Sequence, residues 1–171
     1  MQVILTSHRY RERELLEQLR KFGDFYQTGF RDVIRGEVEN PEAFLKDLEK
    51  RDVFALARIA PTETSFIFSP ASVVEEFCEA VKPLLNEIRK GESFCVKVER
   101  RGLTGAFSSQ EIAKEIGTFI SKTLEERDKE KPKVNLRDPD KAFVFETLGK
   151  WCGVGIVSKD MRQRYFYLKL P

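Results

Sequence analysis

The chain has 171 residues, 41% of them hydrophobic, enough for one compact unit or for two small domains packed together. Its 30 lysines and arginines against 28 acids leave a net charge of only +2, so no whole-molecule field draws in nucleic acid and any basic surface must be local. Cys78, Cys95 and Cys152 are too widely spaced for a disulfide framework or a clustered zinc site, and no apolar run is long enough for a bilayer, so a soluble, cytoplasmic protein with no membrane partner is expected.

Gln2 to Thr6 reads as a strand, with Ser7 as the cap of a helix that carries Leu15, Leu16, Leu19 and Phe22 on one face and closes at Gly23. Asp24 to Thr28 and Arg31 to Val38 read as strands around Gly29. Asn40-Pro41 then starts a helix with Phe44, Leu45 and Leu48 inward, and Val53 to Ile59 is a further strand. Strand, helix, strand, strand, helix, strand is the order of a ferredoxin-like plait.

Pro61-Thr62-Glu63-Thr64 breaks that pattern, and the boundary between two domains is expected at Ser69, giving units 1–69 and 70–171. Ser72 and Glu75 have capping-box spacing ahead of a helical stripe from Val73 through Phe77 and Val81 to Ile88, which Pro83 should kink or split before Gly91 ends it. Ser93 to Glu99 alternates like a half-buried strand. Ser108 and Glu111 repeat the capping box before a helix with Ile112, Ile116, Ile120 and Leu124 on one face. The charged run from Glu125 to Lys133 is a solvated helix end and loop. Val134 to Leu136, Ala142 to Leu148 and Trp151 to Val157 are strand candidates, and Tyr165 to Leu170 adds another in a short tail. The fold class is therefore α+β.

Residues up to Ser69 carry 11 basic residues against 12 acids, whereas those from Pro70 carry 19 against 16, which places an anionic partner on the second unit. There Arg100-Arg101-Gly102 and Gly105 lead into Ser108-Ser109 at a helix start. Unpaired N–H groups, glycines that let a backbone approach closely, and two guanidinium forks together suit a phosphate; the plainer reading is an ordinary connection with capping serines. Lys114, Lys122, Lys133, Arg137, Lys150, Lys159, Arg162 and Arg164 continue the basic series near Phe143, Trp151, Tyr165 and Tyr167, a mixture suited to phosphate pairing with base stacking, although Phe143 alternates like a core residue.

Catalytic patterns are poor. His8 is the only histidine and has no nucleophile near it in sequence, Asp138-Pro139-Asp140 is first of all a turn, and Gly153-Val154-Gly155 lacks a dinucleotide or phosphate-loop context and reads as a closely packed strand. No catalytic residue, cofactor or metal is assigned.

Phe94-Cys95-Val96-Lys97-Val98-Glu99-Arg100-Arg101-Gly102, Ser108-Ser109-Gln110-Glu111-Ile112, Lys133-Val134-Asn135-Leu136-Arg137-Asp138-Pro139-Asp140 and Phe143-Val144-Phe145-Glu146, in that order, resemble the THUMP domain of RNA-modification enzymes. The resemblance implies two helices, a strand, a helix and further strands from Pro70 to Ser158, beside a ferredoxin-like partner. It further implies that the pair holds the acceptor stem and 3' CCA end of tRNA while chemistry happens elsewhere. The plan is similar to stand-alone THUMP adaptors that assist tRNA cytidine N4-acetylation, which implies tRNA and an RNA-modifying enzyme, an RNA cytidine acetyltransferase, as partners. Arg100, Arg101, Lys133 and Asn135 are the RNA contacts that the resemblance implies; Lys150, Arg162 and Arg164 join them on charge. The alternative is a protein-docking or assembly subunit without useful RNA affinity.

Overall fold

Val3 and Leu5 alternate with Ile4 in the first strand, β1 (Gln2–Ser7), so both of its faces are apolar and both are covered. A computed structural model describes all 171 residues. It places β1 in the middle of a four-stranded sheet with β2 (Phe25–Gln27), β3 (Val33–Glu37) and β4 (Leu56–Thr62), in the order β2-β3-β1-β4 with all neighbours antiparallel. Helices α1 (Glu12–Leu19) and α2 (Pro41–Lys50) bring Leu15, Leu19, Phe44, Leu45 and Leu48 onto one face. This is the ferredoxin-like arrangement. Asn40 caps α2 as expected, accepting from the Ala43 N–H at 3.0 Å. Ser7 does not cap α1: it ends β1, and its hydroxyl donates to the His8 carbonyl at 2.9 Å, while Arg11 stands at the helix start without a side-chain cap.

Pro61 does not break the pattern either. It continues β4 opposite Val3, tolerated because β4 is an edge strand that need not use every N–H. The chain turns at Glu63 alone and enters β5 (Thr64–Ile67), which belongs to the second sheet. A 3-10 turn (Pro70–Ser72), helix α3 (Val73–Val81) and a 3-10 stretch (Lys82–Glu87) with Pro83 in its first turn follow, so the proline splits the helical segment as its missing N–H requires. Ser72 and Glu75 form no capping box; the Ser72 hydroxyl donates instead to Glu76, which also accepts from the Ser69 N–H at 3.0 Å.

The second sheet is completed by β6 (Ser93–Glu99), β7 (Lys133–Val134), β8 (Lys141–Leu148) and β9 (Trp151–Ser158), in the order β5-β9-β8-β6-β7, with β6 parallel to β7 and β8. Helix α4 (Ser109–Asp128) crosses between β6 and β7, capped by Ser108, which accepts from the Glu111 N–H at 3.3 Å. One face of this sheet packs Phe94, Phe143 and Phe145 against α3 and α4, with Phe77 stacked on Phe145 at 4.9 Å. Its other face contributes Cys95, Ala142, Val144 and Val157 to the core beneath α1 and α2. The two sheets therefore share apolar packing. No strand forms over Tyr165 to Leu170. Ser158 caps a short helix, α5 (Lys159–Arg164), and the tail beyond it buries Tyr165 and Leu168 in the shared core, with Ile59 N–H donating to the Tyr167 carbonyl at 2.9 Å. No helix is long and apolar enough to cross a membrane.

β4 and β9 approach so closely that a Cβ on Gly155 would lie 2.2 Å from the Pro61 oxygen, and one on Gly153 would lie 2.6 Å from Thr62. The glycine pair of β9 is thus a packing device, as its strand context implies.

Candidate nucleic-acid interface

A charge is buried at the junction of the two sheets. The Glu146 side chain is fully buried in β8, with Arg58 of β4 at 2.6 Å on one oxygen and Arg101 at 2.5 Å on the other. Both guanidinium side chains are only 13% exposed. Arg101, expected to hold RNA, is spent on cross-linking the two units, and its backbone N–H also donates to the Thr147 hydroxyl at 3.1 Å. Arg100 points elsewhere: its guanidinium donates to the Gly102 carbonyl at 2.7 Å, stands over the Phe107 ring and makes no ion pair.

The expected RNA contacts do not form one patch. Arg100 and Lys150 lie where β6 ends and β8 turns into β9, whereas Lys133 and Asn135 lie beside the start of β6, a strand length of roughly 20 Å away. Asn135 is a turn residue: its carbonyl oxygen accepts from the N–H groups of Arg137 and Asp138 at 3.1 Å each, and its amide donates to the Asp138 carbonyl at 2.9 Å. Arg162 latches α5 onto that turn, donating to the Pro139 carbonyl at 2.5 Å and to Asp138 at 3.3 Å. Lys159 also pairs with Asp138, and together the two cations hold that carboxyl below its usual range, the Lys159 hydrogen bond acting most. Arg164 is exposed but paired with Asp160 at 3.0 Å in the next turn of its own helix. Of the set, Arg100, Lys133 and Lys150 keep cations outside any ion pair.

The aromatic residues first associated with the basic series are occupied as well. Phe143 is in the core, Tyr165 is buried, and Trp151 lies under the Arg35 guanidinium, 4.2 Å from its ring centroid, at the junction of the sheets. The exposed rings are Tyr10, Tyr26 and Phe54 on the first unit and Phe166 on the tail. Tyr10, 70% exposed, has the Arg9 guanidinium 4.9 Å and that of Arg31 5.8 Å from its centroid. Its backbone is left-handed, at φ 65°, and is held there by Asp32, which accepts from the Tyr10 N–H at 2.8 Å.

These residues belong to the same end of the molecule as Arg100 and Lys150. Pairing of Thr6 with Val33 and of Ser7 with Leu56 brings the loop after β1, the loop before β3 and the loop before β4 together. Phe30 of the middle loop then reaches the second unit, where its ring is 3.1 Å from the position of a Cβ on Gly102 and 3.9 Å from one on Gly149. Gly149 N–H in turn donates to the Arg101 carbonyl at 2.9 Å. Gly102 has φ +80° and Gly149 φ +60°, so both close contacts use a backbone that other residues rarely adopt. Arg9 and Arg31 thereby flank the exposed ring of Tyr10, and Arg100 and Lys150 stand on loops of the second unit at the same end, none of the four in an ion pair. Such an arrangement offers cations to phosphates and a face for a base or sugar. Arg9 and Arg31 escaped the sequence reading because the first unit is nearly neutral overall; His8-Arg9-Tyr10-Arg11 was the available signal.

Elsewhere the chemistry is closed. All three thiols are buried, and burial, with the Glu146 charge beside it, pushes Cys152 well above the usual thiol range. Asp140 accepts from the Ser93 N–H and hydroxyl at 2.7 Å each, and no cluster of metal-ligating side chains forms.

Residues 71–157 match the model of the THUMP domain. The chain belongs to the THUMP family. Among solved structures, TrmN from Thermus thermophilus is similar over 91% of this chain and 44% of its own, with 19% identity and a TM-score of 0.64. PH1313 from Pyrococcus horikoshii matches over 92% of this chain and 55% of its own, at 15% identity and a TM-score of 0.60. A 4-thiouridine synthetase in complex with RNA and ATP matches over 92% and 41%, at 17% identity and a TM-score of 0.54. The chain spans about half of the length of these proteins, and the ferredoxin-like unit is included in the match. No curated protein matches the sequence.

Proposed function

We propose that this THUMP protein is a non-catalytic tRNA-binding adaptor, which holds the acceptor stem and 3' CCA end and presents the tRNA to a separate modifying enzyme, an RNA cytidine acetyltransferase. One observation carries the reading: Arg9, Arg31, Arg100 and Lys150, free of ion pairs, stand on loops of both units at one end of the molecule, with the first two flanking an exposed tyrosine. Local cations on a nearly neutral protein suit a ligand that is itself a line of phosphates. The fold is shared with a protein held in complex with RNA, which supports the same ligand class. Burial of the thiols and engagement of Asp138 and Asp140 in turns and strand ties favour a binding role over catalysis. The acetyltransferase is named from the plan of the chain, a ferredoxin-like unit before a THUMP domain, which resembles that of the stand-alone adaptors.

The test is addition of the protein to an RNA cytidine acetyltransferase and tRNA. N4-acetylcytidine should form faster with the wild type than with Arg9→Ala/Arg31→Ala/Arg100→Ala/Lys150→Ala, and the protein alone with tRNA and acetyl-coenzyme A should form none. Equal rates with both proteins would contradict the reading.

A further inference from the structure

The parallel strand β7 is only two residues long, whereas its neighbour β6 runs on for five more, from Cys95 to Glu99. Phe94 carbonyl accepts from Asn135 N–H at 2.9 Å on the β7 side. Since N–H and C=O groups alternate between the two edges of a strand, those of Val96 and Val98 face the same way, where the sheet has no further strand. Such an edge is a template for another chain unless something covers it. Here it opens into a groove of about 920 Å³ between β6 and one flank of α4.

The walls have a consistent character. Ala113, Gly117 and Ser121 follow one another at helical spacing on α4, so the flank is low and a backbone can come close; a Cβ on Gly117 would still be 4.0 Å from Val96. Val134 and Leu136 stand at one end, 57% and 66% exposed, without apolar cover. Lys97, Lys114, Lys122 and Lys131 also line the groove against Glu125 as its one acid, and none of the four lysines makes an ion pair.

We propose that this groove binds an extended segment of a protein partner, rich in alternating apolar and acidic residues, as an added strand beside β6. The open backbone edge supplies directional hydrogen bonds, the low apolar flank takes alternate side chains, and the lysines select acids. Single-stranded RNA fits less well. Phe94, the aromatic ring of the lining, is 1% exposed, so no face is offered for a base, and the unpaired backbone groups call for a backbone. The inference names how a protein partner is held and is independent of RNA binding, which is read at the loop end.

The full chain would be mixed with a fluorescein-labelled eight-residue peptide of alternating glutamate and valine, with the same peptide bearing lysine for glutamate, and with a CCA-ended tetranucleotide. Anisotropy gives affinity, and amide exchange of Val96 and Val98 gives the site. The expected result is binding of the glutamate peptide alone, with exchange at both amides slowed roughly tenfold or more. Lys114→Glu/Lys122→Glu should weaken it roughly tenfold, and Gly117→Leu, which fills the groove, should abolish it while leaving tRNA affinity unchanged. Gly117→Ala, which fits beneath Val96, should retain it and control for folding. The proposal is overturned by equal binding of the lysine peptide, by no binding, or by binding that leaves both amides unprotected. Protection by the tetranucleotide would assign the groove to RNA, and protection that grows with protein concentration alone would assign it to a second copy; either also overturns the proposal.

Discussion

Glu146 carries more of the architecture than any other polar residue, because it is fully buried and its two partners come from different sheets. Removing it would leave two largely buried guanidinium groups without a counter-charge, so Glu146→Ala should lower unfolding free energy by about 3–5 kcal/mol in denaturant titration. Arg101→Ala should likewise destabilise, whereas Arg100→Ala should leave the denaturation midpoint nearly unchanged and weaken tRNA binding. Adjacent arginines in one sequence motif thus separate into one held by a buried acid and one outside any ion pair, and nothing in Arg100-Arg101 as letters distinguishes them, since the buried acid is 45 residues away. Asn135 is hard to place for a related reason: a polar residue between a strand and Arg137-Asp138 looks uncommitted in sequence, whereas its amide closes the turn. Asp140 gives a pH prediction. The Ser93 N–H, then its hydroxyl, hold its carboxyl below the usual range, so the folded pKa lies under the unfolded one. Its stabilisation is present above the unfolded value of about 3.9 and is lost as pH falls through the folded value. The melting temperature should therefore drop on acidification below about pH 4, and less steeply in Asp140→Asn.

At the level of elements, periodicity carried most of the information. The alternation of Phe94, Val96 and Val98 placed β6 with correct ends, and Asn40-Pro41 and Ser108 marked helix starts because their side chains do cap. The errors fall where tertiary contacts override local pattern. Pro61 continues an edge strand because its neighbour requires no bond from it, and Tyr165 and Leu168 look like strand residues but bury themselves from an irregular tail. Close contact between β4 and β9 was legible only as the type of residue that permits it. Gly155→Ala would push a methyl into the Pro61 carbonyl, 2.2 Å from its ideal position, and force backbone movement; a loss of about 1–3 kcal/mol is expected, measured as a fall in the denaturation midpoint with unchanged secondary structure by circular dichroism.

For the molecule as a whole, the shared core and the Arg58–Glu146–Arg101 bridge fix the two units relative to each other, and that fixed relation is what makes one basic end out of four loops. The expectation that an anion binds the second unit names Arg100 and Lys150. It missed Arg9 and Arg31 because they join that surface only through the folding of β1 against β3 and the reach of Phe30 to Gly102. Each cation that meets a duplex phosphate should contribute about 0.9 to the slope of log affinity against log salt. The most direct test is tRNA affinity across a salt series for the wild type and for Arg9→Ala/Arg31→Ala/Arg100→Ala/Lys150→Ala, with intact tRNA and with tRNA lacking its CCA end. The account predicts tight, salt-sensitive binding of intact tRNA by the wild type, weaker binding without CCA, and a slope flatter by about three to four units in the variant. Affinity that is indifferent to salt, or equal slopes for the two proteins, would contradict it.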